Sequence, residues 1–170
     1  MSQVETVSNA DNPFADGAAF IAGDYVPIDE ARVPITDWGF LHSDVTYDVV
    51  AVWGGGFFRL QDHLDRFFRG IEKLHMHSPY DRAEMAAILA ECVGRSSIRD
   101  AYVKMILTRG SPPKGQRDPR TCENQFYAFA IPYIWITPPE KQELGIHLTI
   151  SSIPRISPDS VDPTVKNFHW

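Results

Sequence analysis

Gly54-Gly55-Gly56 stands between two runs of residues that favour extended backbone. Tyr47–Trp53 before it is rich in β-branched and aromatic side chains, and Phe57–Leu60 follows. Glycine reaches positive φ without steric cost, so the two runs are predicted to fold back on each other as a hairpin. A phosphate-binding loop is a poor reading, because no Lys-Ser/Thr follows and a strand rather than a helix comes next. Directly afterwards Leu60, Leu64, Phe67, Phe68, Ile71 and Leu74 recur at helical spacing. This predicts an amphipathic helix over Asp62–Leu74, with its apolar stripe toward a core. Arg69 falls opposite the stripe, in solvent, while Arg66 lies on its flank and can reach along the core edge.

The other segments extend this pattern. Residues 1–15 are polar and read as a loose tail. Ala19–Ile21 and Tyr25–Pro27 flank Ala22-Gly23-Asp24 as a small hairpin. Glu30–Thr36 leads into Asp37-Trp38-Gly39-Phe40, a turn with aromatic anchors. A second helix opens at Ser78–Asp81, with Asp81 and Glu84 spaced as a capping box, and is expected to end at Gly94. Ala101–Thr108 is a predicted strand with Tyr102, Lys104, Ile106 and Thr108 on one face, where Lys104 is the odd residue. Arg109–Asn124 reads as a long basic loop carrying Arg109, Lys114, Arg117 and Arg120, and loops of such length are usually functional. Gln125–Ile136 is a predicted strand, Thr137–Glu140 a linker and His147–Ile153 a further strand. The expected class is α+β. Residues 16–136 form an N-terminal domain, 137–145 a linker and 146–170 the opening of a second domain.

Composition removes several functions. The 170 residues carry a net charge of −6, which argues against nucleic acid or an anionic membrane as partner. The longest apolar runs, such as Tyr127–Ile136, are too short to span a bilayer, and the first residues do not read as a signal peptide. Cys92 and Cys122 make neither a disulfide framework nor a zinc site, so both are expected reduced and the compartment cytoplasmic. His75 and His77 lack a carboxylate partner and read as a helix end, not a metal site.

Lys166 carries the chemistry. It lies in Asp162-Pro163-Thr164-Val165-Lys166-Asn167-Phe168-His169-Trp170, among apolar and aromatic neighbours. Burial there disfavours the ammonium, and a neutral lysine amine can form a Schiff base with an aldehyde. Alone, this leaves open a surface lysine.

The segment DPTVKNFHW resembles the Schiff-base lysine segment of fold-type IV pyridoxal-phosphate enzymes. It is most similar to the (R)-selective amine transaminases, relatives of the branched-chain and D-amino-acid aminotransferases. HSDVTYDV at His42–Val49, FFRLQDHLDRF at Phe57–Phe67, TRG at Thr108–Gly110 and KGQRD at Lys114–Asp118 match in the same order. The resemblance implies pyridoxal 5'-phosphate as cofactor, with Lys166 holding it as an aldimine and Arg66 binding its phosphate. It makes Arg117, on a mobile loop, the contact for a substrate carboxylate. It places His42, Tyr47, Val49, Tyr102, Lys104 and Trp170 in the substrate pocket. Lys104 departs from the acidic or apolar residue usual there. The implied reaction moves an amino group from an (R)-amine or D-amino acid to a keto acid such as pyruvate, by a ping-pong mechanism in a homodimer. The matching part is the N-terminal half of a family member, and the group that contacts the pyridine nitrogen is expected C-terminal to Lys166. Two other readings remain: a lyase of the same fold, similar to aminodeoxychorismate lyase, and a non-catalytic half-chain serving as a dimerisation module.

Overall fold

Pairing of extended segments organises the chain, and the computed structural model describes residues 12–169. Strands β1 (Ala18–Ile21) and β2 (Asp24–Pro27) form the first hairpin, and a one-turn helix α1 (Trp38–His42) follows. Then come β3 (Val45–Trp53), β4 (Gly56–Phe57), helices α2 (Leu60–Lys73) and α3 (Arg82–Ser96), β5 (Ala101–Ser111), β6 (Glu123–Pro132) and the short α4 (Pro139–Gln142). The six strands make one antiparallel sheet in the order β2-β1-β6-β5-β3-β4. The architecture is α+β, as expected, and the glycine-linked hairpin is β3–β4.

Strand alternation divides the sheet into two faces. Val50, Val52, Val103, Met105, Phe126, Ala128 and Ala130 point to one side. There they bury against Leu64, Phe67 and Ile71 of α2 and Met85, Leu89 and Cys92 of α3. The opposite face carries Tyr47, Val49, Tyr102, Lys104 and Phe129, and several of these are only half-buried. The capping box forms: Asp81 accepts from the Glu84 amide at 2.8 Å and Glu84 accepts from the Asp81 amide at 2.7 Å.

Several expected elements differ. The strand expected over His147–Ile153 is absent; that stretch is exposed and has no regular structure. The second helix does not stop at Gly94 but continues to Ser96, and the left-handed residue that ends it is Ser97. The last long strand ends at Pro132, which has no amide hydrogen to continue a ladder, four residues short of the expected Ile136. The basic loop is shorter than predicted, because β5 runs to Ser111 and β6 starts at Glu123. The Asp37 turn is the cap of α1, its carboxylate accepting from the Gly39 amide. Both cysteines are free, as expected. The expected tail at 1–15 lies mostly outside the described residues, as does Trp170.

Candidate active site

β4 is two residues long and pairs only with Val52 and Trp53, so the earlier part of β3 keeps a free edge on that side. The lysine segment occupies it. The Tyr47 amide and the Thr46 hydroxyl both donate to the Lys166 carbonyl, each at 3.0 Å. Val165, buried, turns toward α2, while the Lys166 side chain turns to the open face of the sheet. Its ammonium lies 4.7 Å from the centroid of the Tyr47 ring, and Phe168 packs on the same ring with centroids 5.0 Å apart.

Lys104 reaches the same place from β5. Its ammonium is 4.4 Å from the Tyr47 centroid and 4.8 Å from that of Phe168. Burial, and then the charge of Lys166, pull its pKa below the ordinary lysine value. Among the described residues neither ammonium forms an ion pair. Two lysine side chains therefore share the Tyr47 ring, an arrangement that favours an anion between or beside them.

Arg66 is set differently from a free anion-binding arginine. Its Nε and Nη2 donate to Asp48 at 2.6 and 2.8 Å, and the Asp48 carboxylate has no exposed surface. His63 Nδ1 lies 2.9 Å from the same carboxylate, and the Val49 amide donates to it at 2.7 Å. Burial alone would raise the Asp48 pKa; the hydrogen bonds from Arg66, His63 and Val49 outweigh it and hold the carboxyl below its usual range. Asp48 was missed in the sequence reading, although it shares the helix-facing register of β3 with Val50 and Val52, where an unpartnered carboxylate could not sit.

A cavity of about 270 Å³ is lined by Tyr47, Arg66, Arg155 and residues 163–167 and 169. Arg155 is a further guanidinium that sequence reasoning did not single out. A larger neighbouring cavity, about 490 Å³, lies across the lysine segment and is lined by Trp38, His42, Asp44, Lys73 and Asp162. The expected residues are thus divided. Tyr47, Arg66 and Lys166 line one cavity, with Lys104 against the Tyr47 ring, whereas His42 lines the other. Tyr102 stacks on Phe129 of the open face, with Val49 half-buried on the same side. Arg117 is exposed and lines neither cavity.

The TRG segment is a joint. Thr108 donates to the buried Asp37 at 2.7 Å, and Arg109 donates to Asp44 and to the Leu74 and His75 carbonyls that end α2. Gly110 has φ +73, and a Cβ there would sit 1.8 Å from the Glu123 carbonyl oxygen.

Residues 46–170 match the family described as amino-transferase class IV. The chain belongs to that family. It is 30% identical, over 89% of its own length and 51% of the relative, to a provisionally named branched-chain-amino-acid aminotransferase of Methanocaldococcus jannaschii. It is also 33% identical, over 48% of its length and 28% of the relative, to a D-alanine aminotransferase of Listeria monocytogenes. The fold is shared with a branched-chain amino acid aminotransferase of T.th. solved with pyridoxamine 5'-phosphate, at a TM-score of 0.62 and 20% identity over 69% of this chain and 41% of that one. The chain spans about half the length of the first of these relatives. Among the described residues no helix is long and apolar enough to cross a membrane, and no cluster of metal-ligating side chains occurs.

Proposed function

We propose that the protein to which this chain belongs is a pyridoxal-phosphate-dependent transaminase that moves an amino group from an (R)-amine or D-amino acid to a keto acid. The observation that carries this reading is the placement of the Lys166 amine over the Tyr47 ring, in one cavity with Arg66 and Arg155. A flat cofactor with an aldehyde and a phosphate asks for an amine, an aromatic wall and a guanidinium, and these residues fit it.

When bound, the cofactor supplies the electron sink that makes the donor's Cα–H acidic. Lys166 would hold it, and the free Lys166 amine would take the proton from the donor's Cα as general base. Arg66 keeps Nη1 uncommitted among the described residues, so it can grip phosphate while Asp48 fixes the rest of its fork. Tyr47 supplies the wall. Lys104, half-buried, is placed to receive the carboxylate of a keto acid or a D-amino acid, and Arg117 is the candidate for the same group from its loop. Donor and acceptor use one cavity in turn, which gives ping-pong kinetics in what we take to be a homodimer.

The name of the M. jannaschii relative supports a second donor class, branched-chain amino acids. The test is to treat the full-length protein with borohydride, digest it and locate the reduced cofactor. The same preparation is then offered (R)-1-phenylethylamine, D-alanine and L-leucine with pyruvate. Cofactor on Lys166 and turnover of the first two donors are expected. Turnover of L-leucine alone overturns the donor assignment, and label on another lysine overturns the site.

A further inference from the structure

α2 touches the lysine segment a second time, at its far end. Lys73 is the last residue of that helix, and its ammonium donates to Asp162 Oδ2 at 2.8 Å and to Thr164 Oγ1 at 2.6 Å. Asp162 Oδ1 accepts from the Thr164 amide at 2.8 Å and from its hydroxyl at 2.6 Å. The Val165 amide then donates to the Asp162 carbonyl at 3.2 Å. Asp162–Val165 is therefore a closed turn, stiffened by the fixed φ of Pro163, and its outer side is bonded to α2. The next residue is Lys166, whose carbonyl is already held by Thr46 and Tyr47 of β3. Gly70, one turn before Lys73, allows this closeness: a Cβ there would come within 2.7 Å of the Thr46 hydroxyl and 3.8 Å of Val165 Cγ1.

We propose that Lys73 is a positioning residue for Lys166. Acting through the Asp162–Thr164 turn, it sets where the Lys166 amine stands over the Tyr47 ring. This rests on the reading of Lys166 as the cofactor-bearing amine. Lys73 itself lines the neighbouring cavity and not that of Lys166, so it acts without touching cofactor or substrate. A purely stabilising role is a weak account of the pair. Its side chains are 48% and 46% exposed, and ion pairs that open to water add little to stability. The placement of a reacting amine is far more sensitive, since a displacement of about 1 Å costs on the order of a hundredfold in rate.

The experiment uses the full-length protein stripped of cofactor and compares wild type with Lys73→Met, Lys73→Arg and Asp162→Asn. Pyridoxal phosphate is added, and its attachment to Lys166 is trapped with borohydride at successive times. Lys73→Met is expected to slow trapping and to lower kcat by roughly tenfold to a hundredfold, with KM for the donor within about twofold. Its thermal midpoint should stay within about 3 °C of wild type. Lys73→Arg, which keeps a cationic donor, should recover most of the trapping rate. Asp162→Asn should match Lys73→Met, and the double variant should be no worse than either single one. Trapping on Lys166 at the wild-type rate in Lys73→Met overturns the proposal alone. A loss in Lys73→Met that follows a large fall in thermal midpoint and is not rescued by arginine overturns it as well. Label on a different lysine in the wild type overturns instead the reading of Lys166 on which it stands.

Discussion

Asp48 is a charge without exposed surface, and its neighbours explain how it is tolerated. Arg66 gives it two hydrogen bonds, and His63 and the Val49 amide fill the rest. Asp48→Ala would leave Arg66 facing an empty, desolvated site. A fully buried pair broken in this way loses about 3–5 kcal/mol. Arg66 is 45% exposed and can turn to water, so a loss of roughly 2 kcal/mol is expected at pH 7, read from the urea midpoint. The folded pKa of Asp48 lies below its ordinary 3.8, so its contribution is complete above about pH 4 and is lost as pH falls through the folded value. The gap between wild type and Asp48→Asn should accordingly narrow as pH falls below about 4. Lys104 presents the opposite case. Its pKa is pulled down by burial, and no carboxylate pairs with it among the described residues. Lys104→Met should raise stability by about 1 kcal/mol. The same change should raise KM for a keto acid about tenfold if the ammonium receives its carboxylate. Lys104 stood out in the sequence because a lysine breaks an apolar strand. Asp48 did not, because its partners come from a helix whose rotation against the strand is set only by packing.

Helix α2 does the most positional work among the elements, and its periodicity made it legible. Its apolar stripe buries Leu64, Phe67 and Ile71, which leaves Arg66 on the flank beside Asp48 and Lys73 at the end beside Asp162. Gly70 was not singled out, since a glycine within a helical pattern shows a cost and not a reason; the reason is the Thr46 hydroxyl that its missing Cβ would strike. The strand expected over His147–Ile153 failed for a related cause. Alternation there describes a face, but a strand also needs an edge to pair with, and that stretch pairs with none of the described strands. Gly94 misled in the other direction. It is an exposed helix position with nothing near its missing Cβ, and the helix runs on until the buried Ser96 hydroxyl bonds the Val93 carbonyl. At the β5–β6 joint a glycine is indispensable, because Gly110 combines positive φ with close approach of the Glu123 carbonyl. Gly110→Ala is expected to cost roughly 2–4 kcal/mol, seen as a lower thermal midpoint, with Arg109 released from α2.

At the scale of the molecule, the two sides of the sheet differ in how much water they meet. The helix side is closed. On the other side Trp53, Tyr133 and Trp135 cluster at one end, with ring centroids 4.4 to 5.6 Å apart. Trp53 and Trp135 remain exposed, as do Ile134 and Ile136, the latter at 95%. The chain then continues through Leu144, Ile146, Leu148, Ile150 and Ile153, all exposed and without regular structure. So many large apolar side chains in water exceed what scattered surface hydrophobes explain. The M. jannaschii relative is about twice as long as the part of it that this chain matches, and a chain of that length has further surface to lay over such side chains. Residues 1–170 made alone should therefore bind a hydrophobic dye such as ANS strongly and associate above micromolar concentration, whereas the M. jannaschii relative at its own full length should do neither to the same degree. Replacing Ile146, Leu148 and Ile150 together with serine should reduce both signals in the 170-residue chain and leave its α2–α3 core intact by circular dichroism. Dye binding and light scattering no greater for the 170-residue chain than for that relative would mean that these side chains find cover within the chain itself.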